Sequence, residues 1–173
     1  SGVEIYAINI PGGRVPTAML HRVRTTGLSM LYGRIVREQG RPDVMHAHFP
    51  FPSYAASQLK DRTGVPLVVT EHLSAMMEPE ISPRIYSAAN AAYENADALI
   101  AVSPGLQKVL EMKFGKKSVY IPNIVDTELF SCGMKERDGK FRFIAIGALI
   151  PRKRMDLTVD AFARAFGRNQ RVT

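Results

Sequence analysis

Short apolar runs rich in β-branched residues recur along this chain, and between them lie stretches whose apolar residues fall at helical spacing. That alternation constrains the fold more than any other feature. Strands are expected over residues 3–10, 43–49 (DVMHAHF), 66–70 (PLVVT), 98–102, 118–121 and 141–146. Helices are expected over 17–39, 53–62, 84–95 and 105–114, with a further one marked by Met155, Leu157, Val159, Ala161, Phe162 and Ala165. Strands that alternate with helices are joined by crossovers, so the fold class is α/β, a parallel sheet with helices on both faces.

Local signals punctuate the pattern. Gly64 stops the helix of 53–62, and Ser103-Pro104 supplies an N-cap and a first-turn proline, which explains Ser103 without catalysis. Gly12-Gly13 reads as a turn, since no G-x-G-x-x-G follows. Residues 73–83 (LSAMMEPEISP) are too long for a simple turn and read as a binding lip. Residues 124–139, polar and irregular with Cys132, Gly133 and Gly139, carry the signature of a linker.

Composition excludes several classes. With 46% hydrophobic and 23% charged residues the chain is an ordinary globular one, and it has neither a run of about 20 apolar residues nor a signal-peptide layout at its start. Cys132 is the sole cysteine, so no internal disulfide and no cysteine-based metal site is expected, which fits a cytoplasmic protein. The net charge of +7 arises entirely after residue 100, because acids and bases balance before it. The basic part lacks the aromatic and glycine interleaving of an RNA platform and any zinc-finger spacing, so no nucleic-acid partner is expected. Arg34 and Arg37 on the first long helix suit either a peripheral contact with anionic lipid or a solvated face.

Chemistry concentrates at two places. At 140–156 (KFRFIAIGALIPRKRMD) a strand, a loop and a helix follow in turn, and Arg152, Lys153 and Arg154 stand where the helix dipole is already positive. Each cation is opposed there by about 0.3–1 kcal/mol, so the cluster makes sense either around a bound phosphate or as a solvated basic turn. His72 sits at the carboxyl end of a strand, where α/β sheets place ligands. His46 and His48 share one strand face, but without a carboxylate or third histidine to complete a metal site they read as packed or hydrogen-bonded.

Taken in order, DVMHAHF, PLVVTEH, ADALIAVSPGL, VYIPNIVDTELF and FIAIGALIPRKRMDLTVDAF resemble successive blocks of the family-four retaining glycosyltransferases, in register from about residue 41 to 166. The resemblance implies a partial GT-B fold: a Rossmann-like acceptor-side domain over 1–123, an interdomain linker over 124–139, and the first strand–helix unit of the donor-binding domain over 140–173. It implies a sugar-nucleotide donor and a sugar, lipid-linked or small-molecule acceptor, in polysaccharide or glycoconjugate synthesis, without a cofactor or a protein-held metal. His72 would lie near the donor as the catalytic residue. The family's G-R-L-x-x-x-K block falls on Gly147 to Lys153, which gives Lys153 the pyrophosphate; Ala148 replaces the family's arginine, and Arg152 or Arg154 is the candidate substitute. Ile124 stands where the family's hinge usually has glycine. The family's glycine-rich first loop and paired glutamates have no counterpart in the chain, so by itself it is expected to be inactive. A non-catalytic phosphate-binding or nucleotide-binding module is the alternative.

Overall fold

The structure, a computed structural model, describes residues 2–9, 16–131, 139–167 and 171–172. Gly12-Gly13, Cys132 and Gly133 lie outside the described residues. The chain divides into two compact units, Ser1–Ile124 and Val125–Thr173.

The first unit is a Rossmann-like α/β arrangement. Helix α1 (Thr17–Gln39) precedes β1 (Met45–His48), α2 (Pro50–Thr63), β2 (Leu67–Glu71), a 3-10 turn (Ser74–Met77), α3 (Pro83–Asn95), β3 (Ala98–Ala101), α4 (Pro104–Phe114) and β4 (Val119–Tyr120). All neighbouring strands are parallel in the order β1-β2-β3-β4, with His48 opposite Thr70 and Thr70 opposite Ile100. Leu67, Val69 and Ala101 are wholly buried against Met76, Ala89, Ala92 and Leu110, with Tyr93 and Phe114 completing the cluster. Each large apolar side chain buried in this way contributes about 1.5–3 kcal/mol. Small residues at the contacts, Ala55 and Ala56 on α2 and Ala88, Ala89 and Ala92 on α3, suit close helix packing.

Element ends follow their local chemistry. Ser103 caps α4 by accepting from Leu106 N–H at 3.1 Å, and Ser82 caps α3 by accepting from Ile85 N–H at 3.4 Å. Helix α2 starts at Pro50 rather than Ser53, since its prolines occupy the first turn, where no N–H is needed. Gly64 and Gly115 close α2 and α4 with φ of 66° and 64°, a left-handed conformation that favours glycine. Asp97 joins three elements at the other end of the sheet, accepting from Leu67 N–H and from Lys60 Nζ, each at 2.7 Å. The segment expected to be a lip, 73–83, is anchored at Met76, which is buried, and by Lys113 Nζ, which donates to the carbonyls of Met76, Glu78 and Pro79, while residues 77–80 stay exposed.

Two expected strands differ. Residues 3–9 form no ladder; Tyr6 hydroxyl donates to Glu4 and Glu38, and Gln39 Nε2 donates to Glu4, so side chains rather than backbone bonds hold the segment. In the second unit residues 141–146 also form no strand, and among the described residues only one parallel bridge, Phe141 with Val172, appears. A parallel strand needs a neighbour along its length to accept its hydrogen bonds, and among the described residues of this unit only Arg171 does so, for Phe141 N–H at 2.7 Å. Phe143 instead packs on Phe162 and Phe166 of α5 (Met155–Phe166), which follows a 3-10 turn at Pro151–Lys153. Among the described residues no helix is long and apolar enough to cross a membrane.

Candidate functional site

In the first unit the chemistry gathers where β1 and β2 end. Alternation along β1 puts His46 and His48 on one face, with ring centroids 4.3 Å apart. His46 Nε2 lies 2.7 Å from Thr70 Oγ1, and His48 Nδ1 lies 2.8 Å from His72 Nε2. His72 is therefore the third histidine of a connected group, and His46 and His48 are hydrogen-bonded, as their shared face led one to expect. The sequence showed the shared face, but the partner across the sheet depends on register and on the turn after β2. No group of three or more His, Cys, Asp or Glu among the described residues is placed to hold a metal ion.

A hydrogen bond between two imidazoles needs one donor and one acceptor nitrogen, so the pair cannot be doubly protonated while bonded. Partial burial, together with the charges of His46 and His72, holds the His48 imidazole below its ordinary pKa.

Two features that sequence reasoning missed fix this group. Phe49 follows β1 with φ 65° and ψ 158°, a conformation nearly confined to glycine, and its ring lies 5.3 Å from that of His72. Its N–H donates to Thr70 O at 3.2 Å, which holds the strained residue against β2. Glu71, wholly buried, accepts from the N–H groups of His72 at 2.9 Å and Leu73 at 2.6 Å, and from the Tyr93 hydroxyl. Its carboxylate thereby sets the turn that presents His72. Burial and then the Glu71 charge push the Tyr93 hydroxyl far above the usual phenol range, so it stays a donor. The carboxylate directly before His72 in TEH was the available signal. Beside these residues an apolar cavity of about 1000 Å³ opens between α1, β1 and α2, and His46, His48 and Phe49 line part of it.

The second unit carries the other expected site residues. Gly147 stands in irregular backbone, where an added Cβ would meet only the Met155 methyl at 3.5 Å, so packing does not demand glycine there. Arg152 and Lys153 belong to the 3-10 turn before α5, and the Arg152 side chain lies outside what the structure describes. Lys153 is exposed, and no side chain pairs with it among the described residues. Arg154 adopts φ 46° and ψ 43° and grips Asp156 through Nε–Oδ1 at 3.2 Å and Nη2–Oδ2 at 3.0 Å. Those bonds hold the Asp156 carboxyl below its ordinary range. Of the expected cations, Arg154 is thus already matched by an acid, whereas Lys153 is not.

Comparison with known proteins gives two matches. The chain is 28% identical over 141 residues to an uncharacterized glycosyltransferase, YqgM, of Bacillus subtilis strain 168, an alignment covering 75% of this chain and 37% of that protein. The chain thus spans well under half the length of this relative. The model of Glycosyltransferase Family 4 matches residues 2–129. That match takes in the whole β1–β4 sheet with its histidine group, and the chain belongs to Glycosyltransferase Family 4.

Proposed function

We propose that the chain is part of a retaining glycosyltransferase that moves a hexose from a nucleotide-sugar donor to a sugar, lipid-linked or small-molecule acceptor in polysaccharide or glycoconjugate synthesis. The observation that carries this reading is His72, held at the carboxyl end of a parallel strand by the buried Glu71 and bonded to His48, inside a family-four domain. On this reading the first unit receives the acceptor, and the second begins the donor-binding half.

In the transfer the bond between the sugar's anomeric carbon and the pyrophosphate breaks. A new bond to the acceptor oxygen forms on the same face, and the acceptor hydroxyl passes its proton to the departing phosphate oxygen. Negative charge develops on the departing β-phosphate, and a cation already in position lowers the barrier as it does so. Lys153, exposed and without an acidic partner among the described residues, fills that role. Arg152 is the remaining candidate for the arginine that Ala148 replaces, because Arg154 is engaged by Asp156. Gly147 allows the backbone near that phosphate. His72 orients the reacting sugar and hydroxyl, with its tautomer set by His48. The chemistry calls for no cofactor, and the chain by itself is inactive.

The test is Lys153→Ala in a protein carrying both halves. Turnover should fall by about 10²–10³, the loss typical of removing one preorganised electrostatic group. Unchanged turnover would sink the assignment of Lys153.

A further inference from the structure

A second cavity in the first unit, an open cleft of about 750 Å³, lies between α1, α2 and α3, and the arginines at its rim are exposed. Arg22 reaches it from α1, Arg62 from α2 and Arg84 from α3, with His21 beside them. No carboxylate lines it among the described residues, and none is paired there with any of the three guanidiniums. Among the described residues the one side-chain hydrogen bond of these arginines is a long one, Arg62 Nη1 to Ser29 Oγ at 3.4 Å. This concentration is not a by-product of overall charge, since acids and bases balance over the first hundred residues.

A fourth arginine, Arg24, adds positive charge beside the cavity without lining it. Arg24 and Arg84 both lie against the Phe51 ring, at 5.4 Å and 5.0 Å from its centre, so one ring gathers two like charges. His21 stands against Phe51 and Tyr54, with centroids 5.8 Å and 5.0 Å away. Neutral donors complete the wall, among them the hydroxyls of Thr25, Tyr54 and Ser87. Guanidiniums arriving from three helices suit an anion that accepts from several directions, which a tetrahedral phosphate does.

We propose that this cavity is a phosphate-binding site, taking either the phosphate ester of a soluble ligand or the phosphate of a lipid headgroup. The site is separate from the histidine group and does not depend on the glycosyl-transfer reading. His21 supplies a reporter: burial, then Arg84 and Arg24, hold its imidazole below the ordinary value, with Arg22, Arg62 and the Tyr54 hydroxyl as the other ionisable groups around the cavity. A bound anion reverses that repulsion.

The experiment follows the His21 ring proton by NMR in the full chain, in inorganic phosphate against chloride at matched ionic strength. In parallel, flotation uses vesicles of phosphatidylcholine with and without phosphatidylglycerol. Phosphate should raise the His21 pKa by about half a unit or more, and Arg62→Gln with Arg84→Gln should abolish the rise. Arg84→Lys, which keeps the charge, should retain most of it, and the amide spectrum checks that each variant is folded. A phosphate shift without flotation assigns a soluble ester; flotation on the anionic vesicles that the double variant loses assigns a lipid phosphate. No phosphate-dependent shift together with no flotation overturns the proposal, as does any response that a folded double variant keeps in full.

Discussion

Glu71 shows how one side chain can serve stability and presentation together. Its buried carboxylate takes three hydrogen bonds, from two N–H groups of the turn and from Tyr93. Removing one donor leaves an acceptor with nothing to replace it, which costs about 1–3 kcal/mol. Tyr93→Phe should therefore lower the unfolding free energy obtained from urea denaturation by that amount and loosen the turn bearing His72, both readable in one unfolding series with NMR. A midpoint equal to wild type would show that Glu71 does not rely on Tyr93. The histidines make a pH prediction with a definite sign. His48 and His21 both have folded-state pKa values below their ordinary 6.5, so the unfolded chain binds protons more readily. Stability is then greatest above about pH 6.5 and declines as the pH falls from there through the folded-state values. Urea midpoints measured across that window should drop on acidification, and the drop should shrink in His21→Gln and His48→Gln. At this scale the sequence made His72 legible, because position at a strand end is local information. The His48–His72 bond and the strained Phe49 were not legible, since they arise from register and from a turn shaped by a residue buried 22 positions further on.

Among the elements, those determined by their own residues matched expectation closely. Helix α1 spans the expected 17–39, and Ser103 caps α4 as its sequence implied. Ser103→Ala should cost about 0.5–2 kcal/mol, measured by denaturation, with the rest of the sheet unaffected. Strands depend on neighbours, and here expectation and structure part. Residues 141–146 have strand-like composition, yet Ile144 and Ile146 are 84% and 89% exposed, because the described part of the second unit gives them no sheet to join. By contrast β2 and β3 lie inside the sheet and match the expected runs to within a residue or two. Leu110, wholly buried against that sheet from α4, carries a corresponding share of the core. Leu110→Ala should destabilise the first unit by about 2–5 kcal/mol, and a loss well under 1 kcal/mol would mean that the packing around α4 relaxes into the space.

Across the whole molecule, the parallel sheet β1–β4 with its helices is the domain matched by Glycosyltransferase Family 4, and the five ordered blocks carried that family in the sequence. The basic excess after residue 100 and the cationic cavity within the charge-balanced part are distinct features, and only the first was visible without coordinates. Arginines 22, 62 and 84 are too far apart in sequence to form a run, and three helices bring them together. The central claim is that His72 works at a sugar-transfer centre and is not merely a packed histidine. The measurement that tests it most directly is the rate of nucleoside diphosphate release and the anomeric configuration of the product, for wild type and His72→Gln in a protein carrying both halves, beside their unfolding midpoints. The account predicts a product with the donor's anomeric configuration and a turnover lowered by about 10² or more in the variant, with the midpoint little changed. Wild-type turnover in a folded variant, or a product of inverted configuration, would contradict it.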